Sequence, residues 1–195
     1  MPEQRPRVVL VRHGETKWSK NGQHTGSSDI PLTEAGRSEA KALGERLRRW
    51  RFELVLTSPL SRAAETCRLA GFGDVAQERT ELVEWDYGEY EGLTTVQIRE
   101  SIPGWTVWRD GCAEGETAHD VGVRVDRLIA ELRALSGDAV LFAHGHVLRA
   151  LAARWIGLSP RMGAGLALST AAISVLGYER EAPVLWLWNE VGQRV

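Results

Sequence analysis

Two short stretches of the chain share one form: Val9-Leu10-Val11-Arg12-His13-Gly14 and Val140-Leu141-Phe142-Ala143-His144-Gly145, each an apolar β-rich run ending in His-Gly. A neutral imidazole is a nucleophile and a proton carrier near pH 7, so two of them at strand ends are candidates for group-transfer chemistry. A third run, Leu54 to Leu56, leads into Thr57-Ser58-Pro59-Leu60-Ser61-Arg62. There Ser58 is predicted to cap a helix, with Pro59 at its first position and Arg62 in its first turn. Ligands of open α/β sheets bind at the carboxyl ends of the strands, so parallel pairing of these runs would bring Arg12, His13, Arg62 and His144 to one edge. Guanidinium groups beside a helix N-terminus, with its free N–H groups and partial positive charge, make a receptor for a dianionic oxyanion such as phosphate. Any one of the four alone reads more simply as a core or solvated side chain. The four together do not.

The elements that must position these residues follow from hydrophobic periodicity. Ala40, Leu43, Leu47 and Trp50 share a helical face, with Thr33 as the N-cap, predicting about four turns. Val121, Val125, Leu128, Leu132 and Leu135 form a second stripe. Leu148, Leu151, Ala152 and Trp155 form a third, stopped by Gly157 and Pro160. Ala172 to Leu176 and Val184 to Trp188, separated by a polar segment, predict a C-terminal β-hairpin, with Trp186 and Trp188 on one face as packing residues. The expected class is α/β, a three-layer α/β/α arrangement around a mostly parallel mixed sheet. No repeat, low-complexity tract or flexible linker divides the chain, so residues 1–195 are expected to form one domain.

Composition narrows the function classes. With 195 residues, 43% apolar and 26% charged, the chain can bury a full core and is neither disordered nor fibrous. Its 24 basic and 26 acidic residues leave a net charge of −2 with no long block of either sign, which nominates no nucleic-acid partner. The apolar run Val8 to Val11 is too short for a signal-peptide core. Met162 to Tyr178 is too rich in Gly, Ser, Thr and Ala for a membrane span and reads as a loop followed by a strand. Cys67 and Cys112 lack metal or redox spacing and are expected to be free thiols in a reducing cytoplasm. His144 and His146 have the spacing of a metal pair, but supporting ligand patterns are missing and nearby arginines would repel a divalent cation. No metal and no cofactor are expected.

At this point Arg12-His13-Gly14-Glu15-Thr16 resembles the Arg-His-Gly-Glu signature of the histidine phosphatase superfamily, which includes the phosphoglycerate mutases. Further landmarks agree in order: Thr25-Gly26, Asp29 to Gly36, Ser58 to Ala63, Glu81 to Glu84, Gly88 to Gly92, Gly115 to Thr117, and His144-Gly145. The resemblance spans about residues 8 to 178 and implies a phosphoglycerate mutase-like fold. It implies that His13 attacks phosphorus to form a phosphohistidine while Arg12, Arg62 and His144 hold the phosphoryl oxygens. It assigns Glu84 as the acid that protonates the leaving alkoxide and then activates water. Ser19, Thr25 and Gly26 align with phosphate- or substrate-holding positions, although many relatives have Asn where Ser19 stands. Trp85 and Tyr87 would line the leaving-group side, and His24 and His146 would point into the pocket. His119, at a predicted helix start, is given no function.

Mutases and phosphatases of this family share the phosphohistidine and differ in what accepts the phosphoryl group. Mutases carry Glu-Arg-His-Tyr-Gly around the acid, where this chain has Glu84-Trp85-Asp86-Tyr87-Gly88, and Thr95 stands in place of a substrate-binding Lys. Those departures favour hydrolysis. The segments Glu84 to Thr94 and His144 to Arg149 are similar to a subgroup of sedoheptulose-1,7-bisphosphatases and small acid phosphatases. The expectation is a metal-independent phosphomonoesterase acting on a small phosphorylated metabolite, a sugar phosphate or bisphosphate. A mutase is the first alternative and a non-catalytic phospholigand-binding module the second. One apolar face on the terminal hairpin permits a homodimer.

Overall fold

The computed structural model describes residues 5–192; the first four residues of the polar lead and the last three of the chain lie outside it. Four parallel strands form one side of a mixed sheet: β1 (Val8–Arg12), β2 (Phe52–Thr57), β3 (Gln77–Glu78) and β4 (Asp138–Ala143). The terminal hairpin of β5 (Ile173–Glu179) and β6 (Ala182–Glu190) adds two more, β5 antiparallel to β1, in the order β3-β2-β4-β1-β5-β6. Residues 8–11 are fully buried because helices cover the sheet on both faces.

On one face, α2 (Glu34–Leu47) and α3 (Ser61–Leu69) pack Leu43, Leu47 and Cys67 against Val9, Val11, Val140 and Phe142. On the other, α6 (Ala118–Arg133) and α7 (Gly145–Trp155) pack Val121, Val125, Leu128, Leu148 and Leu151 against Val8, Leu10 and Leu141. Each fully buried Leu or Val contributes about 1.5–3 kcal/mol over an exposed one. Short helices α1 (Lys17–Asn21), α4 (Thr95–Ser101) and α5 (Val107–Asp110) lie in the connections over the carboxyl edge. This is the expected three-layer α/β/α fold, hairpin included.

Three local expectations change. Thr33 caps α2 as predicted, its hydroxyl accepting from the Gly36 N–H, but the helix ends at Leu47, and Trp50 stacks on Phe52 instead. Ser58 does not cap α3; Leu60 holds the N-cap position, and Ser58 is turned toward His144. A register shift between β5 and β6 separates the two tryptophans. Trp186 lies against Gly177 and is 59% exposed, whereas Trp188 packs on the larger core cluster.

The N-terminus of α2 meets the loop after β1 at very short range. A Cβ added to Gly36 would lie 2.1 Å from the Glu15 carbonyl oxygen, and one added to Gly14 would lie 2.3 Å from that of Gly36. Two backbones in direct contact leave no room for a side chain. Gly36→Ala is therefore expected to destabilise the fold by about 1–3 kcal/mol, roughly 3–10 °C of melting temperature, because it overpacks backbone that cannot swing away. Thermal unfolding measures this, and an unchanged melting temperature would show that the loop yields.

Candidate active site

Arg12 ends β1 and His13 follows it; β4 is the neighbouring strand and His144 follows its last residue. The His13 N–H donates to the Ala143 carbonyl at 2.9 Å, which sets the two imidazoles side by side with ring centroids 5.3 Å apart. Both lie at the carboxyl edge, as the two His-Gly runs predicted.

The two rings are held differently. His13 Nδ1 donates to the Gly14 carbonyl at 2.7 Å, so the remaining lone pair is on Nε2. Burial, with Arg12 and Arg62 adding to it, holds the His13 pKa well below the usual histidine value, so the ring is a neutral nucleophile at pH 7. His144 is fully buried, and both its nitrogens are taken: Nδ1 accepts from Arg62 Nε at 3.1 Å and Nε2 bonds Ser58 Oγ at 2.8 Å. A ring so engaged offers no free nitrogen to a metal, which removes the His144 and His146 pairing. Among the described residues no group of three or more His, Cys, Asp or Glu side chains is placed to hold a metal ion.

Arg12, His13, Ser19, His24, Thr25, Glu84, Tyr87 and His146 line one cavity of about 170 Å³ at this edge. Arg12 Nη1 donates to the Leu168 carbonyl at 2.6 Å, and its Nε is buried without a partner among the described residues, facing Gly145. A buried guanidinium N–H left unpaired is a donor held ready for an anion. Ser19 reaches the wall from the capping box of α1, where its hydroxyl exchanges hydrogen bonds with the Thr16 backbone.

Four of the proposed residues sit off the wall. Arg62 is fully buried beneath it, its terminal nitrogens donating to the carbonyls of Ser28, Thr25 and Gly26 at 2.9–3.0 Å while Nε orients His144. The Gly26 N–H donates to the Glu91 carboxylate at 2.9 Å, so Gly26 braces Arg62 rather than facing the cavity. The Trp85 indole is buried and donates to the Glu116 carbonyl at 2.8 Å. His144 lies in the same lower layer. These four lie behind the side chains that line the cavity; phosphoryl or substrate contacts were expected of them.

The expected helix N-termini are also occupied. The Glu84 carboxylate accepts from the Trp85 N–H at 3.0 Å and from the His146 and Val147 N–H groups at the start of α7, both at 2.9 Å. At α3, Asp29 accepts from the Ser61 N–H at 2.9 Å. Carboxylates fill both termini, so the positive field of the cavity comes from arginine side chains. The same contacts fix the Glu84 carboxylate, 7% exposed, on the wall that His13 shares.

Gly22, Gln23, Arg149 and Leu168 also line the cavity and were assigned no site role from the sequence; Gly145, of the second His-Gly run, lines it as well. Arg149 carried a signal: it falls three residues after His146, on the same face of α7. Leu168 carried none, since an irregular loop brings it there.

His24, Tyr87 and His146 form an aromatic cluster at one end. The Tyr87 hydroxyl and His146 Nδ1 are 2.5 Å apart, the His24 and Tyr87 rings lie 4.7 Å apart, and His24 Nε2 is 3.2 Å from Thr95 Oγ1. Burial lowers the His24 pKa from 6.5 to about 4. The unfolded chain takes up this proton near pH 6.5 and the folded one only near 4, so the contribution is full above 6.5 and lost as pH falls through that window. It amounts to on the order of 3 kcal/mol. Urea unfolding at pH 7 and pH 4.5 is expected to show the fall, and His24→Gln should reduce it; an unreduced fall would exclude His24 as its source.

The profile of the histidine phosphatase superfamily (branch 1) matches residues 8–191. An acid phosphatase of Mycobacterium tuberculosis is 44% identical over 188 residues, covering 93% of this chain and 92% of that one. A sedoheptulose 1,7-bisphosphatase of Saccharomyces cerevisiae is 38% identical over 190 residues, covering 81% and 70%. The solved structure of a mycobacterial glucosyl-3-phosphoglycerate phosphatase in complex with VO3 superposes with a TM-score of 0.85 at 32% identity, covering 95% of this chain and 99% of that one. The chain belongs to the histidine phosphatase superfamily. Among the described residues no helix is long and apolar enough to cross a membrane.

Proposed function

We propose that this chain is a phosphomonoesterase that hydrolyses a small phosphorylated metabolite, a sugar phosphate or bisphosphate, through a phosphohistidine on His13. The observation that carries the reading is the tautomer: with Nδ1 tied to the Gly14 carbonyl, His13 directs its Nε2 lone pair into a cavity walled by Arg12 and Glu84. Nε2 attacks phosphorus, the ester P–O bond breaks, and Glu84 gives its proton to the departing oxygen. Water then attacks the phosphohistidine, Glu84 takes its proton, the P–N bond breaks and phosphate leaves. Arg12 stabilises the phosphoryl oxygens directly, while Arg62 and His144 supply charge and position from beneath. No cofactor or metal takes part. Ser19 and Thr25 bound the phosphoryl end, and His24, Tyr87 and His146 the leaving group.

The relatives support hydrolysis of small phosphate esters. The two free cysteines are in keeping with a cytoplasmic location. We read residues 1–195 as one catalytic domain, the family match over residues 8–191 being in keeping with that, with a homodimer permitted by the exposed side of the hairpin. The test is phosphate release from an aryl phosphate, 3-phosphoglycerate and a panel of sugar mono- and bisphosphates in excess chelator. Release from a sugar phosphate is expected. Release from none, with 3-phosphoglycerate isomerised when bisphosphoglycerate is supplied, would make the protein a mutase.

A further inference from the structure

Arg12 ends β1, His13 and His144 follow directly on buried strands, and Arg62 lies in α3. Glu84 has no such support: it stands in the irregular stretch 83–87, between two single turns of 3₁₀ helix. Proton transfer to a departing oxygen tolerates little displacement, since about 1 Å of misplacement can cost 10²-fold in rate. The Glu84 carboxylate is anchored at the start of α7, which leaves its main chain in need of an anchor of its own.

Helix α6 supplies one. Arg124, in its second turn, directs Nη1 to the carbonyls of Glu81 at 2.7 Å and Val83 at 2.8 Å, and Nη2 to the carbonyl of Glu84 itself at 3.1 Å. Among the described residues these three carbonyls have no other hydrogen-bond donor. The remaining Nε and Nη2 protons form a bidentate pair with the Glu116 carboxylate at 2.7 and 2.9 Å, so every N–H of the guanidinium is engaged. Glu116 lies just before the Thr117 cap of α6 and holds the far side of the same stretch. Its carboxylate accepts from the Asp86 N–H, its own N–H donates to the Asp86 carbonyl, both at 2.9 Å, and its carbonyl accepts from the Trp85 indole at 2.8 Å. The pair thus grips the chain before and after Glu84. A lysine, with three donors on one nitrogen, cannot meet five acceptors in a fixed plane.

We propose that the Arg124–Glu116 pair is the positioning device of the proton donor: by fixing the main chain on both sides of Glu84 it keeps the carboxyl at the departing oxygen, and so determines how well the enzyme handles esters of poor leaving groups. This rests on the acid role of Glu84 given above, and the test separates the two. It measures kcat/KM, which reports the step in which the ester bond breaks, for Arg124→Lys and Glu116→Gln, alone and combined with Glu84→Gln. The substrates are a sugar phosphate, an alkyl ester, and an aryl phosphate. Each single variant is expected to lose roughly ten-fold or more on the alkyl ester while the aryl ester stays within about three-fold of wild type. In the Glu84→Gln background neither substitution should widen the gap between the substrates, because the proton being positioned is no longer there. Glu116→Gln leaves the Arg124 bonds to the three carbonyls in place, and it decides the matter if Arg124→Lys fails to fold. Equal losses on both substrates, no loss on either, or a gap that widens as much without the acid as with it overturns the proposal. If Glu84→Gln itself leaves the two substrates equal, the acid role falls and the positioning role with it. If Glu84→Gln separates them while the Arg124 and Glu116 variants do not, only the positioning role is lost.

Discussion

His13→Ala is expected to lower hydrolysis of every phosphate ester by roughly 10⁴-fold or more and to abolish a trapped phosphoenzyme, while inorganic phosphate still binds. The loss should not depend on the leaving group, because the nucleophile serves every substrate. No neighbouring imidazole is positioned to replace it. Both nitrogens of His144 are engaged with Arg62 and Ser58, and His24 and His146 belong to the cluster around Tyr87. The same geometry fixes the pH dependence of the intact enzyme. Burial and two guanidinium groups hold the nucleophile neutral to pH values well below 6.5, so kcat/KM should not decline at the ordinary histidine pKa as the solution is acidified. Near-normal hydrolysis by His13→Ala, measured as phosphate release from an aryl phosphate, would remove His13 from the mechanism.

Glu84→Gln is expected to split substrates by leaving group. An alkoxide needs a proton as it departs, so alkyl phosphates should lose roughly 10²–10³-fold in kcat; an aryl oxide departs unaided, and aryl phosphates should lose far less. The variant also carries a structural cost. The carboxylate accepts three backbone N–H bonds, and the amide of glutamine would set an NH₂ group against one of those donors. Leaving a buried donor unsatisfied costs about 1–3 kcal/mol, so a lower melting temperature is expected as well. The ratio of alkyl to aryl rates within the one variant is independent of how much protein is folded. Equal losses on both substrates would leave Glu84 a structural anchor of α7.

How much of this was legible in the residues depended on range. The apolar stripe of α6 and the Thr33 cap of α2 are interactions within a few residues, and they were readable. The ends of those stripes were not. Trp50 continues the periodicity of α2 but finds Phe52 on the next strand, and Leu135 continues that of α6 beyond the end of the helix. Periodicity records which side chains are apolar, while the end of a helix is set by what the chain meets next. Ser58 is the sharper case. Its position before Pro59 suits a cap, yet a buried imidazole on another strand is a stronger partner for its hydroxyl.

The candidate site divides along the same line. Arg12, His13, Glu84 and His144 were found because strand-end placement and family spacing are one-dimensional signals. Which of them face the cavity is a three-dimensional matter. Arg62 and His144 form a lower layer because the segments after β2 and β4 and the loop at residues 25–28 meet there, and their polar atoms are satisfied by groups up to 86 residues away in sequence. Gly26 and Trp85 belong to that supporting layer for the same reason.

The sequence by itself determined the α/β class, the hairpin, the two histidines at the strand ends and the family, since each rests on local pattern or on ordered spacing. The tertiary structure alone decided the His13 tautomer, the filling of the α7 N-terminus by Glu84, and the engagement of both His144 nitrogens by Arg62 and Ser58. Those depend on hydrogen bonds, several of them between segments far apart in the chain. A linear order of residue types does not carry them until the sheet has brought the segments together.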